Sequence, residues 1–156
     1  MRHSTFTPGR SQVWTSARRA AQSVPPRVLV VDDYIDSADA LAAFLDNTGF
    51  DTRVAYNGCD ALTIANEWHP DSVVLDVAMP GLSGLAVAKT LRESRETASV
   101  ALLAYTAYET DDNYLELRTG GFDAVCAKPI DPLMVVKILT MLLGSAAMNR
   151  VRMLPS

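Results

Sequence analysis

The sequence alternates short apolar runs with segments of helical periodicity, and this alternation limits the fold more than any other feature. Residues 28–31 form a continuous apolar run, as expected for a strand that is buried on both faces. Apolar positions then recur at helical spacing over residues 37–45, where Asp36 or Ser37 can cap the helix and Gly49 favours its end. The first unit is therefore predicted to be a strand followed by a helix.

The same pattern occurs four more times along the chain. Predicted strands at 52–55, 72–75, 100–104 and 124–127 are each followed by a predicted helix, at 57–68, 83–95, 111–118 and 132–143. Asp131 is the expected cap of the last helix, with Pro132 at its first position. Because the spacing leaves room for one crossover helix between strands, the sequence predicts a doubly wound α/β domain with a five-stranded parallel sheet covered on both faces.

The beginning of the chain differs from the rest in charge. The first 27 residues contain five arginines and no acid, whereas the rest of the chain has nine basic and eighteen acidic side chains. Residues 1–26 lack sustained apolar periodicity, so we expect a basic, poorly ordered extension that ends at Pro25-Pro26. A nucleic-acid-binding or lipid-binding arm and a targeting peptide are alternatives, but five dispersed arginines favour them weakly.

Several protein classes are excluded by simple features. No apolar run approaches the roughly 20 residues of a membrane span, and no secretory signal is visible, so we expect a cytoplasmic protein with no membrane partner and no direct nucleic-acid partner. Cys59 and Cys126 lie far apart in the sequence, so the sequence predicts neither a disulfide framework nor a zinc cluster. We expect both to be structural, with Cys126 in the core.

Polar side chains follow four of the five predicted strands. They are Asp32 and Asp33 after the first strand, Asp76 after the third, Thr106 after the fourth and Lys128 after the fifth. The carboxyl ends of parallel strands meet at one edge of the sheet, where ligands bind at the topological switch point. Three carboxylates, one hydroxyl and one ammonium are therefore expected to converge.

The chemistry of this set favours phosphoryl transfer. Each close pair among Asp32, Asp33 and Asp76 repels by roughly 4 kcal/mol at about 4 Å in an effective dielectric near 20, so cations must compensate. Lys128 supplies one positive charge, and a hard ion such as Mg²⁺ would supply the rest, whereas the lack of local His or Cys disfavours zinc and copper. In such a site an Asp carboxylate can attack phosphorus.

These motifs resemble the receiver (CheY-like) domain of two-component response regulators. The resemblance covers about residues 27–144 and rests on Asp32-Asp33 after VLVV, Asp76 with the downstream Met79-Pro80-Gly81 and Ser83-Gly84, Thr106-Ala107, and Lys128-Pro129. It implies the flavodoxin-like strand order 2-1-3-4-5. Residues 145–156 are too few for a folded effector domain, so we expect a stand-alone receiver.

The resemblance also implies a metal site and its ligands. Asp76 would be the phosphoacceptor, and Asp33 would bind Mg²⁺ or Mn²⁺ directly. Asp32 would act through a coordinated water, and the backbone carbonyl of Ala78 would complete the protein ligands.

For the phosphoryl group itself, the resemblance implies two further contacts. Thr106 would donate a hydrogen bond to it, and Lys128 would pair with it, across a cis peptide to Pro129. The donor would be a phosphohistidine on a sensor histidine kinase or a histidine phosphotransfer protein, in a two-component system or phosphorelay. Such a protein is a signalling phosphoacceptor and not an enzyme acting on other substrates. Its output would be altered binding of an unknown downstream protein or phosphorylation-dependent homodimerisation.

One position departs from the family pattern. Receivers usually have an aromatic residue three positions before the Lys, where this chain has Val125, which puts the usual coupling to Thr106 in question. Tyr105 and Tyr108 flank Thr106, and we expect them mainly to pack, although Tyr108 could also shield an acyl phosphate from water. The acidic residues of the fourth predicted helix can be read either as a solvated face or as a partner surface; they are Glu109, Asp111, Asp112 and Glu116.

Two other functions use the same residues. An aspartyl-phosphate phosphatase of small molecules would share the Asp, Thr and Lys, but it would usually have a DxD pair on its first strand and a cap domain, and neither is visible. A phosphorylation-independent scaffold would keep the fold and signal through its surface. Intact Asp76, Thr106 and Lys128 argue against the scaffold, while Val125 slightly favours it.

Overall fold

The computed structural model describes residues 11–15, 23–107, 111–129 and 131–144. In this part of the chain the elements, in order, are β1 (Ser11–Val13), β2 (Arg27–Val31), α1 (Ile35–Asn47), β3 (Asp51–Ala55), α2 (Gly58–Trp68), β4 (Ser72–Asp76), α3 (Gly84–Glu93), β5 (Ala101–Thr106), α4 (Asp111–Thr119), β6 (Ala124–Ala127) and α5 (Pro132–Leu143). The five predicted strand–helix units, β2–α1 to β6–α5, are confirmed. No helix among the described residues has both the length and the apolar character needed to cross a membrane.

The strands form one sheet in the order β1-β6-β5-β4-β2-β3. β2 pairs in parallel with β3 on one side and with β4 on the other, and β5 and β6 continue the parallel sheet beyond β4. Without β1 this is the predicted flavodoxin-like order 2-1-3-4-5. The strand order reverses between β2 and β4, which places the topological switch point at the carboxyl ends of these two strands.

Two apolar layers hold the helices against the sheet. Side chains alternate between the faces, so that Leu29 and Leu75 contribute to one layer while Val28 and Val74 contribute to the other. α2, α3 and α4 cover the first layer, and α1 and α5 cover the second. This double burial explains why β2, β4 and β5 appear in the sequence as unbroken apolar runs.

Strand β1 corrects the expectation that residues 1–26 form a poorly ordered extension. Ser11–Val13 pairs with β6 in the antiparallel sense, and Val13 and Trp14 are only 1% and 9% exposed. Two apolar residues are too few to produce a periodic signal, and their burial depends on an edge strand formed much later in the chain. Residues 1–10, 16–22 and 145–156 lie outside the described part of the chain, so the remaining expectations for the two terminal segments stay predictions.

The helix starts were predicted with mixed success. The side chain of Asp131 accepts a hydrogen bond from the Leu133 N–H at the start of α5, with Pro132 in the first turn, as expected. α1, however, begins at Ile35, upstream of both predicted caps, and no side chain caps it. The carboxylate of Asp32 instead accepts a hydrogen bond from the Tyr34 N–H, two residues later (3.0 Å), and this local turn leads the chain directly into the helix.

Candidate functional site

The polar residues that were predicted to converge meet at the carboxyl edge of the parallel strands. Asp32 directly follows β2, Asp76 and Thr106 are the last residues of β4 and β5, and Lys128 directly follows β6. Asp32 and Asp76 are 1% and 6% exposed, and Thr106 is fully buried. The fold therefore gathers acidic, hydroxyl and basic groups from four strands in a largely buried site.

Three carboxylates in this site lie close enough to share one cation. One carboxylate oxygen from each of Asp32, Asp33 and Asp76 lies within 4.8 Å of the other two. Asp33 is exposed, whereas its two partners are buried, so the cluster opens to solvent on one side. A ligand set made only of oxygen atoms fits a hard cation such as Mg²⁺ or Mn²⁺.

Ala78 lies beside this cluster through its backbone. Its N–H donates a hydrogen bond to Oδ1 of Asp76 (3.1 Å), which orients the carboxylate and places the segment after β4 around it. That the Ala78 carbonyl ligates a metal remains a prediction.

Lys128 joins the two buried carboxylates. Its Nζ lies 3.1 Å from Oδ2 of Asp32 and 3.4 Å from Oδ2 of Asp76. Burial alone would lower the pKa of Lys128, but the negative charges of the two carboxylates raise it above its usual value, so the side chain is cationic at neutral pH. The peptide bond to Pro129 is cis, as expected, and the Lys128 N–H donates to the Thr106 carbonyl (2.7 Å).

The carboxyl group of Asp76 has an unusually high pKa. Burial raises its pKa to about 6, the positive charge of Lys128 opposes this shift, and the charge of Asp32 adds to it. At neutral pH the group is still mostly ionised and is held beside a cation. An ionised carboxylate in this position can act as a nucleophile.

Tyr105 contributes a contact that sequence analysis missed. The Nζ of Lys128 lies 4.8 Å from the centre of the Tyr105 ring, within the range of a cation–π interaction. The ring therefore helps to position the ammonium group, in addition to the packing that was mainly expected of it. Its place at a strand end, next to Thr106, was the available signal.

Gly84 belongs to the motif quoted for the resemblance, but its role in supporting the site was not predicted. A Cβ at Gly84 would lie 2.4 Å from the Asp76 carbonyl oxygen and 2.6 Å from Cα of Val77, so only glycine fits. The Gly84 N–H donates to the Val77 carbonyl (3.1 Å), and the hydroxyl of Ser83 caps α3. The start of α3 is thus pressed against the backbone that carries Asp76.

The structure describes only some of the residues proposed to modulate the site. Val125 is fully buried in the same apolar cluster as Trp14 and Leu117, so an aliphatic core residue occupies this position. Tyr108 lies outside the described residues, and its shielding role stays a prediction.

The remaining predicted features have clear outcomes where they are described. In the acidic group of α4, Glu116 is exposed, Glu109 lies outside the described residues, and the side chains of Asp111 and Asp112 are not described. Cys126 is buried, as expected of a core residue, and burial raises its pKa to about 12, while Cys59 is exposed. Both cysteines are free thiols.

Comparison with known proteins matches most of the chain to one family. The family model described as response regulator receiver domain matches residues 28–140. The polar-differentiation response regulator DivK of Brucella anthropi is 29% identical over 123 residues, covering 79% of this chain and all of that protein. Among solved structures, the Vibrio cholerae chemotaxis protein CheY4 has a TM-score of 0.73 at 26% identity, covering 76% of this chain and 98% of CheY4. The receiver domain of the Francisella response regulator 1452 has a TM-score of 0.68 at 28% identity, covering 74% of this chain and 95% of that domain.

Proposed function

The chain belongs to the family of response regulator receiver domains, and we propose that it accepts a phosphoryl group on Asp76 in a Mg²⁺-dependent reaction. Members of this family are signalling proteins of two-component systems. The observation that carries the proposal is the position of the Asp76 carboxylate, which lies 3.4 Å from the Lys128 ammonium and within the oxygen cluster formed with Asp32 and Asp33. This arrangement provides a nucleophile, a fixed cation and a cation-binding site in one place.

The proposed reaction is an in-line transfer from a phosphohistidine. A carboxylate oxygen of Asp76 forms a bond to phosphorus while the P–N bond of the donor breaks, and the electron pair of that bond returns to the imidazole. The carboxylate needs no base to activate it, because most of it is already ionised at neutral pH with a pKa of about 6. The product is an acyl phosphate on Asp76.

Lys128 and Thr106 supply the remaining contacts from the protein. The Lys128 ammonium is adjacent to Asp76 before the reaction, so it can neutralise negative charge that develops on the phosphoryl oxygens without first moving into the site. Thr106, at the end of the neighbouring strand, can donate its hydroxyl hydrogen to one of these oxygens. A Mg²⁺ ion bound by Asp32, Asp33 and Asp76 would add positive charge at the same oxygens.

We propose that the donor is a histidine kinase or a histidine phosphotransfer protein and that the output is a binding event in the cytoplasm. An acyl phosphate carries about −1.5 to −2 charges if it resembles a phosphoester, in place of the single charge of the Asp76 carboxylate, and this change can bias a two-state surface. The downstream protein would recognise that altered surface, and a phosphorylation-dependent homodimer is one form that the output can take.

The proposal is tested by incubating the full chain with Mg²⁺ and acetyl phosphate and recording its intact mass. We expect an adduct of one phosphoryl group that disappears when EDTA replaces Mg²⁺. Asp76→Asn, which retains the shape but not the nucleophile, should give no adduct. Asp36→Asn removes an exposed carboxylate of α1 and should leave the adduct unchanged.

The two other functions give different results in the same assay. A small-molecule phosphatase would turn over many phosphomonoester molecules per protein, whereas a receiver accumulates one phosphoryl group. A phosphorylation-independent scaffold would form no adduct, would not bind beryllofluoride, and would bind its partner equally well after Asp76→Asn. Either of these results would contradict the proposal.

A further inference from the structure

Strand β1 and its neighbour Trp14 lie against two segments that adjoin the phosphoryl site, β6 and α4. The strand pairs with β6, which is directly followed by Lys128, and its neighbour Trp14 contacts α4, which follows the strand that ends in Thr106. The rings of Trp14 and Tyr114 meet edge to face, with centroids 6.4 Å apart and an interplanar angle of 73°. Trp14 therefore bridges β6 and α4.

Hydrogen bonds as well as apolar contacts hold β1 and the residues after it in place. Val13 and Ser11 are almost fully buried, and the backbone N–H of Trp14 donates to the Asp123 carbonyl (2.8 Å). The hydroxyl of Thr15 donates to Oδ1 of Asp123 (2.8 Å). Asp123 is itself fixed, because its other oxygen accepts hydrogen bonds from Arg92 (2.9 Å) and from a backbone N–H of β5 (2.9 Å).

The same strand is also a weakly held element of the sheet. Within the described part of the chain, β1 has three residues and pairs with β6 alone, so its ladder is short, and its large buried apolar side chains are Val13 and the adjacent Trp14. Short edge elements of this kind open at lower free energy than the core of a domain. When β1 leaves, β6 becomes a sheet edge with unpaired N–H and C=O groups, which is a surface that binds an extended segment by strand addition.

We propose that the edge of β6 and the adjoining side of α4 form a strand-binding surface, that residues 11–15 of the same chain occupy it in the present structure, and that phosphorylation of Asp76 releases them. This inference rests on the proposed function, because the phosphoryl group on Asp76 is the trigger.

The pairing of β6 provides the physical connection to the site. Each residue of β6 that pairs with β1 also pairs with β5; Ala124, Val125 and Cys126 lie opposite Leu103, Ala104 and Tyr105, respectively. β1 is therefore separated from the strand that ends in Thr106 only by β6. A shift of β6 relative to β5 changes the edge on which β1 lies.

Phosphorylation changes the forces at the end of this strand pair. The new group draws Lys128, which now pairs with two carboxylates, and Thr106 toward its oxygens. Lys128 directly follows β6, with which β1 pairs, and Thr106 ends β5, which precedes α4 in the chain. In the present structure Trp14 is buried against Tyr114 of α4 while β1 pairs with β6, so in this proposal a change in the separation of β6 and α4 favours the detached strand.

The two tryptophans of the chain make this proposal measurable. Trp68→Phe leaves Trp14 as the only tryptophan, and acrylamide quenching of its fluorescence then reports whether β1 is docked. We expect Mg²⁺ with beryllofluoride, or with acetyl phosphate, to increase the quenching constant by at least about threefold. Val13→Asp in the same background places a charge at a buried position and supplies the value for the detached strand.

The control is Asp76→Asn in the Trp68→Phe background, in which the reagents should leave quenching unchanged. Amide hydrogen exchange on the unsubstituted full chain provides a second measurement, because release should accelerate exchange in residues 11–15 and 124–126 without any substitution.

The outcomes separate this inference from the proposed function. A phosphoryl adduct in the intact mass, with quenching and exchange unchanged or decreased, overturns the strand proposal alone. Absence of both the adduct and a beryllofluoride response overturns both proposals. A phosphorylated dimer that keeps Trp14 protected would also overturn release and would indicate exchange of β1 with a second copy.

Discussion

The ammonium nitrogen of Lys128 lies 3.4 Å from the Asp76 carboxylate, although 52 positions separate the two residues in sequence. The same nitrogen lies 3.1 Å from Asp32, so one cation serves two buried carboxylates. The contact offsets part of the repulsion between these negative charges. It also places a positive charge beside the nucleophile before any phosphoryl donor arrives.

Lys128→Gln is expected to slow phosphorylation of Asp76 by about 10- to 100-fold, because developing charge on the phosphoryl group loses a preorganised cation. The measurement is the rate of adduct formation with Mg²⁺ and acetyl phosphate by intact mass. Lys137→Gln, which removes the same charge from an exposed position of α5, is the matched control. Equal slowing in both variants would show that net charge, and not this contact, matters.

Magnesium is expected to raise the melting temperature of the protein, because an ion that binds the folded carboxylate cluster stabilises it by about 2 to 3 kcal/mol at a hundredfold excess over Kd. Asp33→Asn should remove most of this increase, since Asp33 is one of the three clustered carboxylates. Asp36→Asn, close by in sequence, should retain it. A full Mg²⁺ response after Asp33→Asn would place the ion elsewhere.

The acidity of Asp76 predicts a pH-dependent effect on stability in EDTA. Burial raises its pKa from 3.8 to about 6, so the folded state holds the proton more tightly than the unfolded state does. The resulting stabilisation is complete below about pH 4 and is lost as the pH rises through about 6. Asp76→Asn remains neutral and should therefore be more stable than the wild type above pH 6, by about 1 to 2 kcal/mol or roughly 2 to 8 °C.

Thermal unfolding of both proteins between pH 4 and pH 8 provides this measurement. The difference in melting temperature should be small near pH 4 and should grow toward pH 7. A difference that is constant over the range would contradict titration of Asp76 as its cause.

Gly84→Ala is expected to destabilise the fold by about 2 to 3 kcal/mol, because the new Cβ would lie 2.4 Å from the Asp76 carbonyl oxygen. Gly81→Ala is the comparison: its φ of +75° strains an alanine, but nothing lies within 4 Å, so a cost of about 1 kcal/mol is expected. Urea denaturation measures both. A smaller loss for Gly84→Ala than for Gly81→Ala would mean that α3 moves away from Asp76 freely.

The two free thiols should react very differently with iodoacetamide. Cys59 is exposed, whereas burial raises the pKa of Cys126 to about 12, and the thiolate is the reactive form. Intact mass should show one label on the native protein and two after denaturation. Cys59→Ser should abolish the native label, and labelling of native Cys126 would show that the edge of β6 opens readily.

The strand–helix order and the main site residues could be predicted because both depend on local patterns. Apolar runs such as 28–31 mark buried strands, and a polar residue such as Asp76 or Lys128 at the end of such a run must lie at the carboxyl edge once the strands are parallel. The start of α1 was predicted too far downstream, because a local hydrogen bond from the Tyr34 N–H to the carboxylate of Asp32, two residues earlier, turns the chain into the helix before the expected caps.

The sequence by itself thus determined the five parallel units, their doubly wound arrangement and the convergence of Asp32, Asp33, Asp76, Thr106 and Lys128. Only the tertiary structure decided that Val13 and Trp14 add a strand to β6, that Tyr105 lies against Lys128 and that Gly84 lies against the backbone of Asp76. The tertiary structure also decided the pKa of Asp76, because this pKa depends on burial and on charges from other strands. Periodicity is a property of neighbouring residues, whereas these features depend on distances between segments that come together only when the sheet has formed.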